Sequence, residues 1–347
     1  MSSSSTMLFG RSESHSPSRR VLHFLRDLVR RNNSLLPGKL GIWMLTIWFN
    51  TKGTVPPGSL RAIASTLQPL DPLRRARFLP TIDVMVPFIV KDLPTLQLCV
   101  KGILDTVRNP IGRIRLITPD YYDDDQNRRA IDQVLARLRV LLPPGLKIQL
   151  ESDDQVLGSD FHRLLRDRGH GQPGGWHKQQ LVKFFASRNT SALATLVVDA
   201  DTVLLESRTW FLGDGTQLLQ FSEAFQPGYK QHFQEFFEES GPAPFSFVTH
   251  HQLMSADTLR EMFPSPTSII DWFITSRTIP GPGLSEYEAY GSFMWARHRD
   301  KVVLGAWANL WSPKREKLCQ FMESNSISIR DAIPDYCSVS FHAHAQQ

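Results

Sequence analysis

From residue 78 to residue 150, short apolar runs alternate with longer stretches of helical period. Ile82-Asp83-Val84-Met85-Val86-Pro87-Phe88, Ile114-Arg115-Leu116-Ile117-Thr118 and Leu146-Lys147-Ile148-Gln149-Leu150 have the length and β-branched content of strands. Between them, residues 92–109 place Leu96, Val100, Ile103, Leu104 and Val107 on one helical face. Residues 126–142 do the same with Ile131, Val134, Leu135, Leu138 and Leu141. Strand, helix, strand, helix, strand predicts a parallel sheet of the nucleotide-binding kind. A helix is predicted from Trp176 to Phe185, with Leu181, Phe184 and Phe185 turned to the core. The run Leu193–Leu205 follows, apolar except for two carboxylates, as expected of a strand buried on both faces. Further on, residues 244–254 predict a strand ending in two histidines, and Ser285 is placed to cap a helix opening Glu286-Tyr287-Glu288. Ser338 to His344 alternates like a strand, with both of its histidines on one face.

Upstream of Phe78 the pattern changes. Residues 1–18 are serine-rich, a composition expected to stay disordered. Residues 19–31 carry Val21, Phe24, Leu25 and Leu28 at helical spacing among five arginines, a basic amphipathic helix. Such a helix either lies on a membrane surface or docks on its own domain. Ile42–Phe49 is the most apolar run here, but a bilayer span needs roughly 20 residues. The division expected is thus a basic leader over 1–77 and a catalytic domain over 78–347, with peripheral membrane contact through residues 19–50 as one use of the leader.

Charge sharpens this division. Residues 1–80 hold 12 Lys and Arg against 3 Asp and Glu, whereas the remainder holds 27 against 31. The net charge of +5 is therefore a property of the leader, and a nucleic-acid-binding face is not expected on the folded part. Three cysteines without a CxxC pair argue against a disulfide framework or zinc cluster and for a reducing, cytoplasmic location. No glycine-rich phosphate loop follows the first strand, which excludes a dinucleotide fingerprint or a Walker loop.

The chemistry concentrates at Asp199-Ala200-Asp201. A carboxylate ending an apolar strand needs a partner or a metal. Two positions apart on an extended chain, these acids point to one side, where their oxygens suit Mn²⁺ or Mg²⁺. An Asp-x-Asp triplet is short, and the structural alternative is a strand-end turn capped by Asp. The helix after Gly169–Gly175 offers Lys178, Gln179 and Lys183 to donor phosphates. Of His250 and His251, one at most faces a given pocket, where it can bind an acceptor; a satisfied core histidine is the plainer reading. Glu286 and Glu288 are candidate general bases or, equally, favourable acids in a first helical turn. His344 can complete a metal shell or lie on an edge strand.

Taken in order, Trp176-His177-Lys178-Gln179-Gln180-Leu181-Val182-Lys183, Val198-Asp199-Ala200-Asp201-Thr202, Phe247-Val248-Thr249-His250-His251 and Ser285-Glu286-Tyr287-Glu288-Ala289-Tyr290-Gly291 resemble a glycosyltransferase of the GT-A fold. They look more particularly like a largely bacterial, glycosyltransferase-like family with this order of segments. The resemblance covers about residues 80–300; the leader has no counterpart in it. It implies a mixed, mainly parallel sheet flanked by helices and a nucleotide-sugar donor. It also implies an acceptor hydroxyl on a glycan, lipid or small molecule. In such enzymes the first Asp contacts the donor sugar or ribose and the second coordinates the metal on the diphosphate, roles that fall on Asp199 and Asp201. Two other classes are carried: a haloacid-dehalogenase-like phosphatase with Asp199 as nucleophile, and a non-catalytic, membrane-associated protein of the same fold.

Overall fold

The computed structural model describes residues 78–119, 124–171, 173–222, 226–239, 243, 245–279, 283–311, 319, 328–333 and 336–341. The expectations for the leader over 1–77, its helix and apolar run, and for His344, lie outside the described residues.

Five strands make the main sheet: β1 (Ile82–Pro87), β2 (Ile111–Thr118), β3 (Lys147–Ser152), β4 (Ala194–Val198) and β7 (His251–Ser255), in the order β3-β2-β1-β4-β7. All neighbouring pairs are parallel except β4 with β7. Helices α1 (Leu93–Thr106) and α2 (Asp125–Leu141) make the first two crossovers, and α5 (Gly175–Arg188) leads into β4. Two short helices, α3 (Asp153–Leu157) and α4 (Phe161–Asp167), lie between β3 and α5. The expected class is the one observed: a mixed, mainly parallel sheet flanked by helices.

Alternation along the central strands explains why they are so apolar. Val84, Val86, Leu196 and Val198 pack on one face with Leu96, Val100 and Ile103 of α1 and Leu135 and Leu138 of α2. Met85 and Val197 face the other way, into a second core with Leu181, Phe184 and Phe185 of α5. That second core is completed by α6 (Pro227–Phe237), α7 (Ala256–Met262), α8 (Pro266–Ser276) and α9 (Glu286–Arg297). Covered on both sides, β1 and β4 are apolar except for Asp83 and Thr195. Toward the edge, β2 and β3 carry Arg113, Arg115, Lys147, Gln149 and Glu151 on one face, where Arg115 pairs with Glu151 and Arg113 with Asp83. Gly291 allows α9 to press on Phe247, since a Cβ there would stand 2.2 Å from the Phe247 ring.

Two smaller sheets flank the main one. In the first, β10 (Ser338–Ser340) lies between β5 (Thr202–Leu204) and β9 (Asn309–Trp311); in the second, β6 (Gln217–Phe221) pairs with β8 (Val302–Ala306). The short α10 (Ile329–Ala332) precedes β10. No helix among the described residues is long and apolar enough to cross a membrane.

Two expectations change. The run Leu193–Leu205 is two strands, not one: it breaks after Val198 and resumes at Thr202, so both acids sit in the connecting turn. The two histidines begin a strand rather than end one. His250 takes a left-handed backbone (φ 58°), which interrupts extended structure immediately before β7.

The strand order reverses between β1 and β4, since β2 and β3 lie on one side of β1 and β4 and β7 on the other. In open α/β sheets, the crevice at the carboxyl ends of strands flanking such a reversal is where ligands bind. The loop Phe88–Asp92 and the turn Asp199–Asp201 both open onto that point.

Candidate functional site at the strand-order reversal

The backbone of the turn is held from three sides. Thr202 N–H donates to the Asp199 carbonyl at 2.9 Å, closing the turn, and Asp199 N–H donates to the His250 carbonyl at 2.9 Å. From α1, the Thr95 hydroxyl donates to the Ala200 carbonyl at 3.2 Å. Phe341 N–H donates to the Asp201 carbonyl at 2.8 Å, which brings the chain after β10 beside the acids.

Around Asp199 the side chains form a closed network. Lys183 Nζ, from the middle of α5, lies 2.6 Å from Asp199 Oδ1 and 2.6 Å from Glu286 Oε1. It also donates to the Tyr287 hydroxyl at 3.2 Å and stands 4.4 Å from the centre of that ring. The Tyr287 hydroxyl donates in turn to Asp199 Oδ1 at 2.9 Å. The Gln180 side chain, one turn before Lys183, accepts from Glu286 N–H at 2.9 Å and docks the start of α9 on α5. Ser285 caps α9 as expected, its hydroxyl accepting from Glu288 N–H at 3.2 Å.

Burial opposes the charge on Lys183, but Asp199 and Glu286 outweigh it and hold the ammonium above the usual lysine pKa. For Glu286 burial dominates, and with the charge of Asp199 it raises the carboxyl despite Lys183. Burial, then Asp199 and Glu286, push the Tyr287 hydroxyl well up, so it stays protonated as a donor.

A third carboxylate faces the pair across the reversal. Burial raises Asp92, and the charges of Asp201 and Asp199 raise it further, so the three lie within electrostatic reach of one another. Buried beneath them, Cys99 has its thiol pushed well up by burial and by the same acids. Among the described residues no three His, Cys, Asp or Glu side chains are grouped to hold a metal by themselves. Asp199 Oδ1 is already engaged by Lys183 and Tyr287, and Asp201, whose side chain accepts from the Thr202 hydroxyl at 3.4 Å, is the second carboxylate of the turn. That donor set fits a hard cation of the Mg²⁺ type. Such an ion commonly takes one or two carboxylates and completes its shell with substrate phosphates and water.

The other candidates separate. His250 Nδ1 is 3.6 Å from Asp199 Oδ2, while its ring stacks on Trp307 (5.2 Å, 19°) and meets the edge of Trp311 at 5.0 Å. His251, the first residue of β7, is buried against Gln220 and Trp210, with its ring 6.3 Å from that of Trp307. It does not reach the site. Lys178 is turned to Asp153 (2.9 Å) and Asp154 (2.8 Å) rather than to Asp199, and Gln179 is half-buried. Glu288 is enclosed: it pairs with buried Lys230 and accepts from the Ser246 hydroxyl at 2.9 Å, Phe247 N–H at 3.0 Å and the Ser292 hydroxyl at 2.6 Å. So satisfied a carboxylate ties α9 to α6 and to the segment before β7, and it shares no contact with Lys183 or Asp199. Sequence reasoning passed over Asp92, Tyr287, Trp307 and Trp311.

His251 carries a prediction. Burial first, then the charges of His250 and Arg208, lower it to about 3, and burial lowers His232 to about 4. Both are neutral in the fold and protonate more readily when unfolded. Their contribution is complete above pH 6.5 and is lost as pH falls toward 3, on the order of 8 kcal/mol together. The raised Glu286 works in the opposite sense, since its folded form takes up a proton more readily. Urea midpoints are expected to fall steadily from pH 6.5 to pH 4; flat midpoints would contradict the assignment of buried neutral imidazoles.

No family profile and no curated relative matches the sequence. Among solved structures, the backbone is similar to mouse xyloside xylosyltransferase 1 in its apo form, with 12% identity over 77% of this chain and 99% of that one (TM-score 0.41). It is similar to an active-site mutant of LgtC, with 13% identity over 77% and 91% of the two chains (TM-score 0.43). It is also similar to the galactosyltransferase LgtC in complex with donor and acceptor sugar analogues, with 13% identity over 75% and 87% (TM-score 0.42). These are partial likenesses of backbone and say nothing of what this chain binds.

Proposed function

We propose that this protein is a glycosyltransferase that moves a sugar from a nucleotide-diphosphate donor to a hydroxyl acceptor. One observation carries the reading: Asp199 is clamped by buried Lys183 and Tyr287 at the strand-order reversal, with Asp201 beside it and Asp92 opposite. A buried lysine spent on aiming one carboxylate is costly to build, because each ion loses its hydration. A site that must position a polar ligand accounts for it.

In this reading Asp199 presents Oδ2, the oxygen left by Lys183 and Tyr287, to a hydroxyl of the donor sugar or ribose. Asp201 would hold Mn²⁺ or Mg²⁺, which when bound neutralises the diphosphate and stabilises it as a leaving group. The bond between the sugar's anomeric carbon and the diphosphate oxygen breaks, the acceptor oxygen takes its place, and the acceptor's proton passes to the departing nucleoside diphosphate or to solvent. His250, stacked on Trp307 next to Asp199, lies on the acceptor side. Glu286 is buried behind Lys183, so it acts as a positioning residue that fixes the ammonium, not as the base that touches the acceptor.

The test is a screen of UDP- and GDP-sugars with Mn²⁺, read as thermal stabilisation and as release of nucleoside diphosphate. Metal-dependent release is expected for at least one donor, faster when its acceptor is present. Silence with every donor, together with release of phosphate from p-nitrophenyl phosphate, would replace sugar transfer by phosphatase chemistry at Asp199.

A further inference from the structure

We propose a second binding site, for a phosphate monoester, at the amino end of the sheet, opposite the reversal. A cavity of about 490 Å³ is lined there by Arg108, Glu206, Arg208, Thr209 and Arg330, with Ser207 and Leu218 completing it. Arg108 follows α1 and precedes β2, so it stands at the amino ends of the parallel strands, away from Asp199 and Asp201 at their carboxyl ends.

The wall is rigid. Arg108 N–H donates to the Arg208 carbonyl at 2.9 Å and Arg208 N–H to the Thr106 carbonyl at 2.8 Å, a reciprocal bridge that fixes the two arginines side by side. Asn109 braces the same wall, its side-chain oxygen accepting from Trp210 N–H at 2.8 Å and Phe211 N–H at 3.2 Å.

The electrostatics favour an anion. Three guanidiniums face one carboxylate, Glu206, which accepts from Arg208 Nη2 at 2.7 Å. Among the described residues the lining thus carries two more positive than negative charges, on a domain whose own balance is negative. Neither Arg108 nor Arg330 forms an ion pair with a described residue.

Two donors wait beside them. The Arg208 Nε–H is buried without a partner, and so is the hydroxyl of Thr209, itself 5% exposed. Buried donors without acceptors are unfavourable and uncommon in folded proteins. Both atoms are covered in this structure, so an oxyanion would reach them as the side chains adjust around it; arginine forks match the oxygens of a phosphate. A dianion cancels the two surplus charges, and the volume exceeds what inorganic phosphate alone would fill. A phosphorylated metabolite or a phosphate-bearing lipid headgroup meets both conditions.

The experiment is calorimetric titration with inorganic phosphate, at low ionic strength and without divalent cations, which keeps the acidic site from recruiting the anion. One-site binding that weakens with added salt is expected. The double variant R108Q/R330Q, both positions exposed, should bind at least tenfold more weakly while R139Q, on the outer face of α2, binds as wild type. No binding by wild type, or equal binding by the double variant, overturns the site. Co-sedimentation with phosphatidic-acid vesicles separates the sources. Pelleting that is lost in the double variant assigns a lipid headgroup, and phosphate binding without pelleting assigns a soluble monoester.

Discussion

Replacing Lys183 by methionine is expected to destabilise the fold by about 3–5 kcal/mol and to reduce turnover about a hundredfold or more. Lys183 is 3% exposed and holds both Asp199 and Glu286, so removing its charge leaves buried Glu286 and half-buried Asp199 close together without their shared cation. The methionine stem preserves most of the packing against Tyr287, which confines the change to charge. Glu286, already raised by burial, would respond by taking a proton, and Asp199 would lose the contact that aims it. The double variant K183M/E286Q distinguishes charge from packing. With one of the two stranded acids neutralised, it should recover part of the stability, and the two substitutions should couple by about 1–3 kcal/mol. Turnover should stay low in both variants, because Asp199 remains unclamped. Urea midpoints and initial rates measure the two effects separately; K183M as stable as wild type would show that the network does not hold the site together.

That network was only partly legible in the sequence. Asp199 and Asp201 stand out because they are the only charges in an apolar run, and Lys183 because it is charged on an otherwise core-facing helix. Tyr287 gives no such signal, since an aromatic on an amphipathic helix looks like core until its hydroxyl is seen against Asp199 at 2.9 Å. Asp92 looks like a helix cap, and its side chain does accept from Ile89 N–H at 3.0 Å. Its proximity to Asp201 follows from strand order, which no local pattern encodes. The central β1, β2 and β4 and the crossover helices were readable because both faces of the sheet are covered. The break between β4 and β5 was not, because Ala200 is apolar and the turn is held by Thr95, more than a hundred residues away. The same holds at His250. Its left-handed backbone depends on Trp307 and Asp199 around it, and the alternating residues before β7 conceal it. Glu286 and Glu288 are alike in sequence and differ in fate, one clasping Lys183 and the other Lys230, because α9 turns successive residues to different neighbours.

Asp201→Asn should separate stability from function most cleanly. Three carboxylates, Asp92, Asp199 and Asp201, share the reversal, and the charge of Asp201 contributes to the raised pKa of Asp92. Removing one of three like charges relieves repulsion, and an amide keeps the shape and one oxygen to accept from the Thr202 hydroxyl, so stability should change by about 1 kcal/mol or less. Asp92 should titrate closer to an ordinary carboxylate. Turnover should move the other way. If Asp201 carries the cation that stabilises the departing diphosphate, losing several kcal/mol of that stabilisation corresponds to about a 10³-fold slower rate, with the response to Mn²⁺ abolished. Lys183 makes the contrast informative, because its removal harms fold and rate together whereas the Asp201 substitution harms rate alone. Rates measured across a Mn²⁺ series, with urea midpoints for the same preparations, give both readouts. Wild-type turnover with an unaltered metal response would dissociate Asp201 from any cation, and a marked loss of stability would show the carboxylate serving the fold instead of the reaction.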